Sequence, residues 1–315
     1  MASDEPKPHI FFALLDEPLV KNWLSNIISP ASRTAKRQDM TNFISWFKIK
    51  SFEDVKNVKR EDIIGWRDAM LGPRDDRHYA VRTVKRNMAT ISKFFEMLCD
   101  NKILEINIVQ GVERPQIKST EGVTQTISAV QASSLLDAPD PKTIKGKRDR
   151  AILATFLFHA LRRSELCNLR IKDMAERDGI KQFRILGKGD KERYIPIHPM
   201  AISRITDYLN NCGHGGNKES PIFRSLSNNG SDTGKPMVPS GIYALVVKYG
   251  QKVGIDTSHF SPHSLRATAA TNALIHGEDI RKVQHWLGHA SIQTTAMYDK
   301  RDHRPEDSPT FRVRY

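Results

Sequence analysis

The spacing of apolar positions divides the chain into a helical first third and a mixed remainder. Residues 15–110 repeat at helical steps. In ASRTAKRQDMTNFISWFK, Met40, Phe43, Ile44 and Phe47 recur three and four apart, and Arg33, Lys36 and Arg37 fall on the opposite side. The longest periodic run, YAVRTVKRNMATISKFFEMLCD, sets Val84, Met88, Ile91, Phe94, Phe95 and Leu98 on one stripe. Arg82, Lys85, Arg86 and Lys93 lie mostly off that stripe. VKNWLSNI and VKREDIIGWRDAM complete a predicted four-helix module, with Glu61 and Asp62 suited to a first turn. The stretch 111–126 has no period, collects Gly, Pro, Ser and Thr, and reads as a linker.

From residue 127 the pattern changes. ISAVQASSLLDA starts like a helix capped by Ser128. In GKRDRAILATFLFHALRRSELCNL, Ala151 to Phe158 are apolar nearly all round, which predicts a buried central helix. IKDMAERDGIKQFRIL and RYIPI alternate on either side of the turn GKGDKE, which predicts a short antiparallel sheet. MAISRITDYLNNC is helical, and residues 213–240 are rich in loop formers. SGIYALVVKYGQKVG, SLRATAATNALIHG and DIRKVQHWLG are three more helices, the last two closed by Gly277 and Gly288. The expected fold is mainly α with a small antiparallel β-sheet, in two domains. A helical domain spans 1–110, a linker 111–126, and an α+β domain with a C-terminal tail 127–315.

Composition narrows the partners. No apolar run is long enough for a membrane span. The apolar patch near the N-terminus lacks a basic n-region and is not read as a signal peptide. Cys99, Cys167 and Cys212 are odd in number and far apart, so they form neither a metal pair nor a disulfide framework. That usage suits a reducing cytoplasm, the expected location. The net charge is +13, divided as +3 over residues 1–125 and +10 over residues 126–315. A basic second half fits a polyanion, most simply nucleic acid, against the alternative of an inert basic surface.

Five places in the basic half carry candidate chemistry. ALRRSEL, residues 160–166, puts two arginines at the end of the apolar helix, where a guanidinium fork suits a phosphate. Pairing with Glu165 is the plainer alternative. GKGDKER, residues 187–193, can bring Lys188 to a phosphate from a hairpin tip, or can be a solvated turn. SPHSLRATAA places His263 and Arg266 three apart near a helix N-terminus, an anion site or a capped start. His289 directly follows Gly288, and Tyr298 follows a polar, β-branched segment; a buried tyrosine with one hydrogen bond is the ordinary reading. His285 and His289 stand four apart, but Gly288 ends the helix and no glutamate completes an HExxH zinc site. No metal or cofactor is therefore called. Together these residues supply what phosphodiester chemistry needs: fixed cations, a nucleophile, a base and an acid.

The ordered series ALRRSEL, GKGDKER, HSLR and LGHASIQTTAMY resembles that of the tyrosine recombinases, or phage-integrase-type site-specific recombinases. The likeness is close over residues 126–300; the N-terminal helices resemble the family's core-binding domain in pattern alone. The resemblance implies that Tyr298 is the nucleophile, leaving a 3′-phosphotyrosyl link and a free 5′-hydroxyl. It implies that Arg162 and Arg266 clamp the non-bridging oxygens and that Lys188 protonates the leaving oxygen. It also implies that His263 helps accept the tyrosine proton and His289 bonds the phosphate, without ATP or metal. Glu165 is read as support for the arginine or its helix. The implied partner is double-stranded DNA with paired inverted sites. The resemblance also implies a homotetramer assembled on it, allows for an accessory directionality protein, and implies nucleoid association when bound. The expected outcome is integration, excision or resolution of a mobile element. Type IB topoisomerase-like or telomere-resolvase activity, or a DNA-binding protein on the same fold, are the alternatives.

Two departures stand out. Ala160 replaces the usual glycine, with little effect expected unless its φ is positive. Arg163 stands where an aliphatic residue is common, and motif register selects Arg162 over it. With the sequence starting at the core-binding helices, no arm-binding domain is expected, which suggests a simpler, resolvase-like member. The tail DKRDHRPEDSPTFRVRY reads equally as a docking segment or as a disordered end, with PTFRVRY able to add an edge strand to a neighbour.

Overall fold

The computed structural model describes residues 13–72, 79–116, 124–187, 192–227, 230–300 and 310. The chain divides into two compact units, residues 1–121 and 122–315. Lys188, expected from the sequence at a hairpin tip, and nearly all of the tail beyond Lys300 lie outside the described residues. Among the described residues, no helix is long and apolar enough to cross a membrane.

The first unit holds α1 (Ala13–Asp16), α2 (Pro18–Ser25), α3 (Pro30–Phe47), α4 (Phe52–Lys56), α5 (Arg60–Leu71) and α6 (Val81–Asp100). The four longer helices are those that apolar periodicity predicts. The two short ones fall below what periodicity can register. α4 is fixed instead by a capping box, in which Ser51 and Asp54 satisfy each other's backbone N–H groups. The predicted stripe of α6 is buried throughout, around Phe43 of α3 and Trp66 of α5. Asp39 is also fully buried in this core. It accepts hydrogen bonds from Arg86 at 2.9 Å and from Thr90 at 2.8 Å, so its charge is compensated.

The second unit begins with α7 (Ala129–Asp137), capped by Ser128, and α8 (Ile144–His159). α8 packs against α7 and against two later helices, over Pro199–Asn211 and Pro262–Ile275, which accounts for its apolar circumference. α9 (Arg163–Asn168) follows, then a 3-10 turn at Ile171–Asp173. The sheet has the order β1 (Met174–Arg177), β2 (Ile180–Leu186), β3 (Glu192–Pro196), all antiparallel, with Phe183 opposite Ile195. Phe183, Ile185 and Ile195 face the core. α10 (Pro199–Asn211) leads to a second hairpin, β4 (Arg224–Leu226) and β5 (Asp232–Pro236). The loop-rich reading of 213–240 misses that hairpin because every residue of β5 is exposed, leaving no alternation to read. α11 (Pro239–Lys252), α12 (Pro262–Ile275), α13 (Ile280–Leu287) and α14 (Ile292–Ala296) complete the unit.

Candidate active site

The site is built where five chain segments meet in the second unit. α8 ends at Ala160, whose backbone is left-handed, with φ 50° and ψ 35°. This corrects the expectation that alanine in place of glycine matters little. The left-handed region costs an ordinary residue about 1–2 kcal/mol. Here the turn leaves the Ala160 carbonyl as the acceptor for Arg266 Nη1, while the Ala160 N–H still closes on Phe156 O at 3.0 Å.

Arg162 caps α9. Its backbone N–H donates to Glu165 Oε2 at 2.8 Å and its Nη1 to Glu165 Oε1 at 2.8 Å. Its Nη2 reaches Gly288 O at 2.9 Å. Arg163, the next residue, is exposed and lines the same cleft as Arg162. Glu165 is buried, which by itself would raise its pKa. The hydrogen bonds from Arg193 and Arg162 overcome that and bring it down to about 2. It is therefore held as a carboxylate at neutral pH.

Arg266 lies on the first turns of α12 and is 2% exposed. Its Nη2 donates to Leu287 O at 2.7 Å and to His289 Nε2 at 3.0 Å. Burial, then the Arg162 charge, push its pKa down to about 10, so it stays cationic at neutral pH. A guanidinium can only donate, so His289 Nε2 is an acceptor and Nδ1 carries the proton. Nδ1 then donates to Thr295 Oγ1 at 3.0 Å. Burial first, then Arg266, lower the His289 pKa to about 4, which keeps the ring neutral.

The end of α13 organises all of this. Gly288 terminates the helix at φ 64°, and the last carbonyls have no partner within the helix. Three in succession accept from three arginines: Trp286 O from Arg193 Nε at 3.2 Å, Leu287 O from Arg266, and Gly288 O from Arg162. The negative end of the helix dipole suits such cations.

Tyr298 is not on α14. It lies two residues beyond, in a turn closed by Tyr298 N–H to Thr295 O at 2.9 Å. Thr295, fully buried, thus holds His289 through its hydroxyl and Tyr298 through its carbonyl. The Tyr298 hydroxyl stands 3.5 Å from His263 Nε2, long for a hydrogen bond but close enough to pass a proton after a small movement. Burial raises the Tyr298 pKa against the pull of Arg266 and Arg162, so the phenol keeps its proton in the absence of DNA. Arg162, His263 and Arg266 line one cleft of 320 Å³, shared with Arg163, Tyr243, Ser261 and Pro262.

Of the six residues singled out in the sequence, Arg162, His263, Arg266, His289 and Tyr298 converge, and Lys188 lies outside the described residues. Sequence reasoning missed Arg193 and Thr295 as members of the network. Both stand inside the motifs GKGDKER and LGHASIQTTAMY, and their presence there was the available signal.

Residues 125–304 match the phage integrase family. The chain is 31% identical over 273 residues to tyrosine recombinase XerC of Herpetosiphon aurantiacus, covering 84% of this chain and 82% of that protein. It is 31% identical over 291 residues to tyrosine recombinase XerD of Pseudomonas aeruginosa, covering 90% and 91%. A lambda integrase dimer bound to a COC′ core site matches in structure with a TM-score of 0.68 at 16% identity, over 93% of this chain and 98% of that one. XerH in a post-cleavage complex with palindromic difH matches with a TM-score of 0.69 at 19% identity, over 85% and 76%. These two likenesses speak for the fold. The chain belongs to the phage integrase family. It is a tyrosine site-specific recombinase.

Proposed function

We propose that the protein cuts and rejoins DNA through a 3′-phosphotyrosyl intermediate at Tyr298, with no ATP and no metal. The observation that carries this reading is the grouping of Arg162, His263 and Arg266 around one cleft, with the Tyr298 hydroxyl 3.5 Å from His263 Nε2. Arg162 and Arg266 bind the non-bridging oxygens, where their charge offsets what builds up in the transition state. The phenol oxygen attacks phosphorus, His263 accepts the phenol proton, and the bond to the 5′-oxygen breaks. Lys188 delivers a proton to that oxygen. One phosphodiester replaces another, so the reverse attack by a 5′-hydroxyl reseals the strand without an energy source.

His289 has a conditional part. Its Nδ1–H is engaged with Thr295 and its Nε2 accepts from Arg266. A phosphate oxygen that takes the Arg266 N–H releases Nε2, and the other tautomer can then donate to the phosphate. We read the first unit as the core-binding domain and the second as the catalytic domain, acting as a tetramer on paired inverted sites. The work is integration, excision or resolution of a mobile element, with an accessory protein setting direction where one is needed. The enzyme acts in the cytoplasm, on the nucleoid when bound.

The test is a covalent adduct. Protein is mixed with labelled DNA from beside its own gene, nicked near the cleavage point to trap the intermediate, and run on a denaturing gel. A shifted band that disappears in Tyr298→Phe, with DNA binding retained, is expected. A band that persists in Tyr298→Phe overturns the assignment of the nucleophile. Binding without any band, on sites selected from random sequence as well, favours a binding-only protein.

A further inference from the structure

Arg193 is an enclosed cation to which the reaction proposed above gives no part. Arg193, on β3, has a side chain 15% exposed and does not line the cleft. Its Nη1 and Nη2 donate to Glu165 Oε1 and Oε2 at 3.0 and 2.8 Å, a two-pronged pairing. The same two oxygens accept Arg162 Nη1 and the Arg162 backbone N–H. One carboxylate is thus divided evenly between two arginines.

We propose that Arg193 is a positioning residue for phosphate binding, acting through Glu165 on Arg162; this rests on the reading of Arg162 as a phosphate clamp. By holding one donor to each oxygen, Arg193 fixes the plane of the carboxylate and limits Glu165 to a single prong of the Arg162 guanidinium. The other Arg162 N–H groups are left for Gly288 O and for an incoming phosphate. Without Arg193, a buried carboxylate short of donors takes both prongs of Arg162 and draws the guanidinium away from the cleft. Arg193 is itself fixed, by Trp286 O and by close packing against Gly288, where an added Cβ would meet Nη1 at 3.1 Å and Cζ at 3.2 Å. It therefore references Arg162 to the same helix end that holds Arg266. Its place on β3, five residues after Lys188 in the chain, offers a rival role, that of positioning the lysine.

The experiment separates these roles. Arg193→Gln and Arg193→Lys are compared with wild type for DNA affinity and for the rate of covalent adduct formation. Arg193→Lys keeps the charge and loses the fork, and it serves if Arg193→Gln fails to fold. Each rate is measured on ordinary DNA and on DNA whose scissile 5′-bridging oxygen is replaced by sulfur, a leaving group that needs no proton from a general acid. A misplaced clamp is expected to slow the reaction about 10²-fold on both substrates, with DNA affinity unchanged. Adding Arg193→Gln to Arg162→Lys is expected to cost little more than Arg162→Lys alone, because both act on one contact. Full rescue by sulfur overturns the proposal in favour of the role in positioning the lysine. Parallel loss of DNA affinity and of folding in both variants overturns it in favour of a scaffold role. An unimpaired Arg193→Lys with an active wild type overturns this inference alone, whereas an inactive wild type overturns the proposed reaction and the inference with it.

Discussion

At the scale of single residues, Ala160 is the clearest case of backbone conformation serving a side chain elsewhere. Its left-handed turn carries the carbonyl that fixes Arg266, and its methyl is buried in a small cluster with Ala267, Leu287 and Tyr298. Ala160→Gly relieves about 1–2 kcal/mol of backbone strain. It loses about 0.8 kcal/mol of methyl burial and frees the unfolded chain by a similar amount. Stability within about 1 kcal/mol of wild type is therefore expected from a urea titration. Ala160→Val puts a β-branched residue at positive φ in a filled space and is expected to lose about 2–3 kcal/mol. Equal stability of the two variants would contradict this account. The identity of the candidate residues was legible in their motifs, whereas the sign of φ at Ala160 was not. Nothing in the string ALRRSEL states that the helix reverses there, because the reversal is set by α12 and α13 closing over it.

At the scale of elements, helices with a clear apolar pattern were readable, and two of the shortest, α1 and α4, were not. α6 and α8 declare themselves through spacing. β5 has no buried face. One junction carries a pH dependence. His159, the last residue of α8, donates Nδ1–H to Thr155 O at 3.0 Å, and its Nε2 accepts the His198 N–H, which starts α10, at 3.0 Å. Protonation would set a donor against a donor. Burial, with a smaller push from His198, lowers its pKa to about 4 from an ordinary 6.5, against the opposing pull of the Thr155 carbonyl. The unfolded chain therefore binds a proton first as pH falls, and the contribution is complete above about pH 6.5 and lost towards pH 4. A loss of about 2 kcal/mol between pH 7 and pH 5 is expected from His159 in urea unfolding. His159→Gln is expected to flatten that slope, and an unchanged slope would assign the effect to other groups such as His289.

At the scale of the whole molecule, the two units have separate cores. Buried residues from Leu14 to Val112 form one cluster, and those from Ile127 to Tyr298 form the others. Residues 122–315 expressed alone are expected to unfold in one cooperative transition seen by calorimetry; a broad, featureless melt would show that the second core depends on the first. With a net charge of +13, binding to DNA is expected to weaken as salt rises. The log–log slope is about −0.9 for each phosphate neutralised, measured by fluorescence anisotropy. Charge at this scale was legible from composition, since it sums over residues wherever they fold. The assembly of the site was legible only through the resemblance, because Arg162 and Gly288 lie 126 positions apart and no local rule joins them.

The three arginines are held by peptide carbonyls of Trp286, Leu287 and Gly288, and a carbonyl belongs to every residue alike. Descent can therefore rewrite much of the outward face of α13, such as the exposed Arg281, Lys282 and His285, without touching the grip. What inheritance must preserve there is a length and a stopping point. One residue inserted before Gly288 would leave every arginine in the gene and none of them in register.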